Sequence, residues 1–132
     1  GQSVPESKGE IVRCALEGIA LKYRWVLERI EEVIERRLEI LHIVGGGTQN
    51  QLLSQFTANA TDRPVITGPI EATAAGNLLM QMMALGHIAS VAEGRQLVQR
   101  SFDLLTFAPA NQAEWDQAYS CLLRLMGKQV DR

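Results

Sequence analysis

One stretch constrains this chain more than any other: Leu41-His42-Ile43-Val44-Gly45-Gly46-Gly47-Thr48-Gln49-Asn50. A short apolar run passes into three consecutive glycines and then into a helix start. Glycine lacks a Cβ, so such a turn can take a positive φ and let a ligand touch the backbone. The free N–H groups opening the next helix favour negative charge at the same place. The shape suits a nucleotide. A tight strand-to-helix turn needs glycine just as much, so the run by itself leaves both readings open.

The flanking sequence sets the order of elements. Ser7-Lys8-Gly9-Glu10 has the spacing of a capping box. Ile11, Ala15, Ile19, Tyr23, Val26, Ile30 and Val33 then recur at steps of three and four, which predicts a long helix over about 8–38. Val12 and Leu16 with Ile19, Tyr23, Val26, Ile30 and Val33 also fit a heptad register, so a helix-paired dimer stays open. Glu31, Glu32 and Glu35 followed by Arg36 and Arg37 read as one solvated face of that helix.

The glycine run predicts a strand over 39–44 and a helix opened by Thr48 with Gln51 reaching back, continuing to about residue 60. Asp62-Arg63-Pro64 marks a turn before a second strand at about 64–67, closed by Gly68-Pro69. Helices are predicted over about 71–85, stopped by Gly86, and over about 91–101, opened by Ser90 and Glu93. Residues 102–107 read as irregular or extended, and Asn111 with Glu114 opens a last helix over about 112–126.

Composition excludes several classes of function. A net charge of −2 provides no basic excess to neutralise phosphates, which argues against nucleic acid or an acidic membrane as partner. No apolar run is long enough to span a bilayer, and no signal peptide is visible. Cys14 and Cys121 lack a CxxC spacing, and His42 and His87 do not complete a metal set, so no metal site is assigned. Their apolar neighbours read as burying both thiols, which with the rest points to the cytoplasm. His42 reads as a packed histidine, His87 as a surface one, and Met80, Met82 and Met83 as fillers of core gaps.

An α-β-α-β-α-α-α order implies an α/β fold, helix-rich, with about two parallel strands joined by a right-handed crossover. Two strands are too few for a sheet covered on both faces. Part of a larger domain is therefore expected, with further strands preceding residue 1. That expectation includes an open strand edge and apolar surface that invite self-association.

Several segments in the same order resemble the FGGY carbohydrate kinases. His42 to Asn50 is similar to the family's adenosine-binding segment. Pro5-Glu6-Ser7-Lys8-Gly9-Glu10-Ile11-Val12-Arg13-Cys14 and Leu21-Lys22-Tyr23-Arg24 resemble its long helix. Thr61-Asp62-Arg63-Pro64-Val65-Ile66 resembles the strand that follows. Gly68-Pro69-Ile70-Glu71-Ala72-Thr73-Ala74-Ala75-Gly76-Asn77 is similar to a glycine-proline-x-glutamate-alanine stretch of one branch of the family. The resemblance runs from about residue 5 to about residue 110 and is weakest in the last helix.

The resemblance implies an actin-like (ribonuclease H-like) ATPase fold of two domains, with residues 1–132 as the C-terminal portion of the second, nucleotide-side domain. It implies a sugar kinase using ATP and Mg2+. The catalytic aspartate, the phosphate loops and the sugar-binding residues would all lie outside this sequence, so no residue here is assigned to catalysis and the chain alone is expected to be inactive. What carries over is nucleotide binding. Gly45 and Gly46 match paired glycines that lie against adenosine, Gly47 extends the loop, and Asn50 matches a polar position placed to reach adenine or ribose. Glu71 and Thr73 are weaker candidates, since a helix start favours both without any ligand. A non-catalytic nucleotide module and a helix-mediated oligomerisation unit remain as alternatives.

Overall fold

A computed structural model describes residues 4–127. Its elements are α1 (Lys8–Ile34), β1 (Leu41–Ile43), a 3-10 helix (Gly45–Gln49), α2 (Gln51–Thr61), β2 (Val65–Thr67), α3 (Ala72–Ala84), α4 (Val91–Ser101), β3 (Thr106–Phe107) and α5 (Gln112–Leu125). The sheet order is β1-β2-β3. β1 and β2 are parallel, with Leu41, His42 and Ile43 opposite Val65, Ile66 and Thr67. β3 adds a third, antiparallel strand beside β2, where the sequence had suggested about two parallel strands. Two residues are too short for an alternating pattern to register. Thr67 holds that strand's approach, since its N–H donates to the Leu105 carbonyl at 2.8 Å and its Oγ1 accepts from the Leu105 N–H at 3.1 Å.

α1 begins where the capping box places it. Ser7 Oγ accepts from the Glu10 N–H at 3.2 Å, and the Glu10 carboxylate accepts from the Ser7 and Glu6 N–H groups. Those bonds hold the Glu10 carboxyl below its ordinary pKa, Ser7 contributing most. The helix stops at Ile34, short of the expected residue 38, because Glu35 turns left-handed with φ 54°. Glu31 holds the returning chain: its Oε1 accepts from the Leu38 N–H at 2.5 Å and its Oε2 from Arg63 at 2.8 Å. Arg37 therefore leaves the helix and donates to the Asp62 carbonyl at 3.3 Å, instead of continuing a solvated helix face.

The core is helix on helix. Ala20 and Leu21 of α1, Phe56 and Ala60 of α2, and Trp115 and Tyr119 of α5 form one buried cluster, with Leu16 and Trp25 packed against it. Phe56 and Trp115 meet at 5.4 Å between ring centroids. The periodic stripe that predicts α1 is its outer face. Ile11, Ile19, Tyr23, Val26 and Ile30 are exposed, and Val33 is 83% exposed. α1 is apolar on two faces, and periodicity alone does not say which one meets α2 and α5.

α2 is buried from Phe56 to Thr61 despite its polar residues. The hydroxyls of Ser54, Thr57 and Thr61 donate to carbonyls four residues back, those of Asn50, Leu53 and Thr57, so their burial leaves them partnered. α3, by contrast, buries no residue. Met80 is exposed, and Met82 and Met83 are only half-buried, so the methionines do not fill a closed core. Cys14 is exposed and Cys121 half-buried, which corrects the reading of two buried thiols. His42 is exposed as well.

Candidate functional site

The parallel pair β1 and β2 delivers the glycine turn to its carboxyl end, the place where open α/β sheets present loops to ligands. Val44 stays extended, and Gly45 then takes φ +79°. A residue with a Cβ is strained there, so Gly45 is required by backbone shape. Thr48 closes the turn by donating its hydroxyl to the Gly45 carbonyl at 2.8 Å, and it is buried in doing so. Within this chain neither Gly46 nor Gly47 is held to glycine by backbone shape or by a close neighbour. A Cβ on Gly47 would make ordinary contact with Ile43 at 3.7 Å, and one on Gly46 would meet nothing within 4 Å. The space above Gly46 is open.

Asn50 corrects the expected start of the second helix. Thr48 is occupied within the turn, and it is Asn50 that caps α2, its Oδ1 accepting from the Leu53 N–H at 3.0 Å. The asparagine is exposed, and its amide NH2 makes no hydrogen bond to another described residue. One half of the side chain thus fixes the helix and the other half is available as a donor. The expected site residues Gly45, Gly46, Gly47 and Asn50 stand together on one turn. Glu71 is exposed at the start of α3 and its side chain caps nothing. Thr73 is exposed in the first turn.

No motif in the sequence pairs this turn with the one after β2. Gly68 donates its N–H to the Ile43 carbonyl at 2.7 Å, and the Gly45 N–H donates to the Pro69 carbonyl at 3.0 Å. Val44, Gly68 and Pro69 also wall an apolar cleft of about 770 Å³, closed on its far side by Leu79 and Met83 of α3 and Val98 of α4. His42 and its register partner Ile66 line it from the sheet. Among the described residues no cluster of three histidine, cysteine or acidic side chains is placed to hold a metal ion.

Two perturbed ionisable groups, Arg24 and Tyr119, lie away from this turn, where α1 meets α5. The Tyr119 hydroxyl donates to Glu28 and its ring lies 4.3 Å from the Arg24 guanidinium. Burial raises the tyrosine pKa, the Glu28 carboxylate raises it further, and Arg24 opposes both. Burial works against the Arg24 charge, but its bonds to Asp116 at 2.6 Å and Glu28 at 3.1 Å outweigh that and raise its pKa. These groups staple helices together and face no cleft that the glycine turn shares.

Residues 1–85 match the FGGY family of carbohydrate kinases, C-terminal domain. The chain belongs to that family. It is 52% identical over 119 residues to a rhamnulokinase of Bacteroides thetaiotaomicron, covering 90% of this chain and 24% of that protein. It is 41% identical over 112 residues to a rhamnulokinase of Halalkalibacterium halodurans, covering 85% of this chain and 24% of that protein. The chain thus spans about a quarter of the length of the curated relatives it matches. In fold it is similar to glycerol kinase of Plasmodium falciparum solved with ADP, with a TM-score of 0.74 at 18% identity over 100% of this chain and 26% of that one. It is likewise similar to xylulose kinase of Rhodospirillum rubrum, with a TM-score of 0.71 at 18% identity over 96% of this chain and 26% of that one. The helix-rich architecture with its small mixed sheet is that of part of an actin-like ATPase fold.

Proposed function

We propose that this FGGY-family chain supplies the adenosine contacts of an ATP- and Mg2+-dependent kinase that phosphorylates L-rhamnulose at its 1-hydroxyl. The observation that supports the nucleotide half is the open space at Gly46, with nothing within 4 Å of a built Cβ, at the carboxyl end of two parallel strands. The sugar half rests on similarity to rhamnulokinases of two organisms. A planar base lies against Gly45–Gly47, and the unpartnered NH2 of Asn50 donates to an acceptor on adenine or ribose. The turn fits adenosine, being open and free of charge. It carries nothing that would hold the metal, so Mg2+ is assigned to the ATP phosphates and to residues outside 4–127.

Transfer of the γ-phosphoryl depends mostly on positioning and charge stabilisation, and this chain contributes positioning of the nucleotide's base end. Its proposed place of work is the cytoplasm, where ATP is supplied. Among the described residues no helix is long and apolar enough to cross a membrane. The isolated chain is proposed to be inactive, with the base and sugar site outside it.

The test is a phosphorylation assay on the full-length protein carrying this segment, with L-rhamnulose beside L-fuculose, D-xylulose, L-ribulose and glycerol, and the 132-residue chain as control. Preferential turnover of L-rhamnulose, none by the chain alone, and loss of ATP binding in Gly46→Trp support the reading. Preference for another sugar overturns the substrate and keeps the family. A second reading, self-association, has its own observations in the open edge of β1 and the exposed stripe of α1. Sedimentation of the chain decides it, since Gly46→Trp leaves association untouched.

A further inference from the structure

We propose that Gly68 and Pro69 are positioning residues for the glycine turn, acting through a one-residue slip in the contacts just beyond the paired ends of β1 and β2. The inference rests on the nucleotide reading of that turn. Within the ladder Leu41 lies opposite Val65, and its N–H donates to the residue before that partner, Pro64, at 3.0 Å. The same rule sends the Gly45 N–H to Gly68. It goes instead to Pro69, at 3.0 Å. Gly45 therefore lies opposite Ile70, and the β2 side takes three steps, Thr67 to Ile70, against two from Ile43 to Gly45, as in a β-bulge, a device that re-aims the chain next to functional sites.

Gly68 makes the slip feasible. Its N–H donates to Ile43 at 2.7 Å, so its backbone lies tight against the end of β1. A Cβ on it would stand 2.7 Å from Val44 Cγ1 and 3.6 Å from Val44 Cβ. Its φ lies outside the left-handed region, so an alanine backbone is tolerated and the obstacle is the Val44 methyl alone. Val44 is the residue immediately before Gly45. A push on it moves the turn that would carry the base, and Gly45 loses its bond to Pro69 as it moves. Ordinary contact begins near 3.4 Å, so the push is of the order of 0.7 Å, and a misplacement of about 1 Å costs on the order of 100-fold in a positioned reaction.

The experiment measures KM for ATP and KM for sugar in the full-length protein, with Gly68→Ala, Val44→Ala, the double variant and Gly46→Trp. Expected is a rise of about tenfold in the KM for ATP in Gly68→Ala with the sugar KM unchanged, and recovery in the double variant to the level of Val44→Ala. A residue that only stabilises the fold would move both constants together. An unchanged KM for ATP in Gly68→Ala, with binding abolished in Gly46→Trp, overturns this inference and keeps the site. Unaltered ATP binding in Gly46→Trp overturns the site and the inference with it. Should Gly68→Ala fail to fold, the double variant still decides: a tenfold gap between it and Val44→Ala overturns the proposal.

Discussion

Removing the Glu31 carboxylate tests how the end of α1 is tied to the β2 side of the molecule. Arg63 has 8% of its side chain exposed and Glu31 14%, and they meet at 2.8 Å. The Arg63 Nε has no partner among the described residues, and Nη1 reaches only the Thr61 carbonyl at 3.3 Å. Glu31→Ala therefore leaves a buried guanidinium with one long neutral hydrogen bond, and it frees the Leu38 N–H as well. Breaking a buried pair from one side costs about 3–5 kcal/mol. With an unfolding entropy of about 2.1 cal/mol/K per residue, this chain of 132 residues should lose roughly 10–18 °C in Tm. Arg63→Met should cost less, about 2 kcal/mol, because Glu31 sits nearer solvent and keeps Leu38. Combining Glu31→Leu with Arg63→Met should return the chain to within about 2 kcal/mol of the starting protein. Urea unfolding of the three variants is the assay. A loss below about 1 kcal/mol for Glu31→Ala, or a double variant worse than either single one, would refute the argument that burial makes this pair matter.

Tyr119 predicts a pH dependence. Its pKa is raised in the folded chain, so the unfolded chain gives up the proton first; stability is full below the ordinary value of 10.0 and falls as pH rises above it. Phenylalanine at 119 should flatten that alkaline slope in denaturant titrations taken at increasing pH; an unchanged slope assigns it elsewhere. Ser7→Ala should cost about 1 kcal/mol through loss of the α1 cap, read as a shift in the urea midpoint. Gly45→Ala should cost about 1–2 kcal/mol because its φ is positive, whereas Gly46→Ala should fall within about 0.5 kcal/mol; equal losses by thermal unfolding would contradict the division of roles between the two glycines.

What the sequence made legible was local. The capping box of α1, the strand before the glycines and the Ser90 start of α4 are each written in neighbouring residues, and Gly45 stands in the left-handed conformation its run suggested. What stayed hidden was decided between distant residues. Glu31 ends α1 through Arg63, which lies 32 positions away. Asn50 became the cap of α2 because Thr48 was already committed to Gly45. The outer stripe of α1 obeys helical spacing as well as the inner one does, and only packing against α2 and α5 separates them. The link between Gly68 and the glycine turn needs a pairing register, which no single segment carries.

The contrast between α2 and α3 has a consequence in time. α2 is sealed from Phe56 to Thr61 by α1, α5 and the sheet, so those amides should open only with the whole chain and exchange among the slowest of the described residues. α3 buries no residue, so its amides should exchange through local openings that leave the rest intact. The glycine turn joins the first helix and touches the loop that leads into the second. It lies on the boundary between a helix expected to open only with the whole chain and one expected to open by itself.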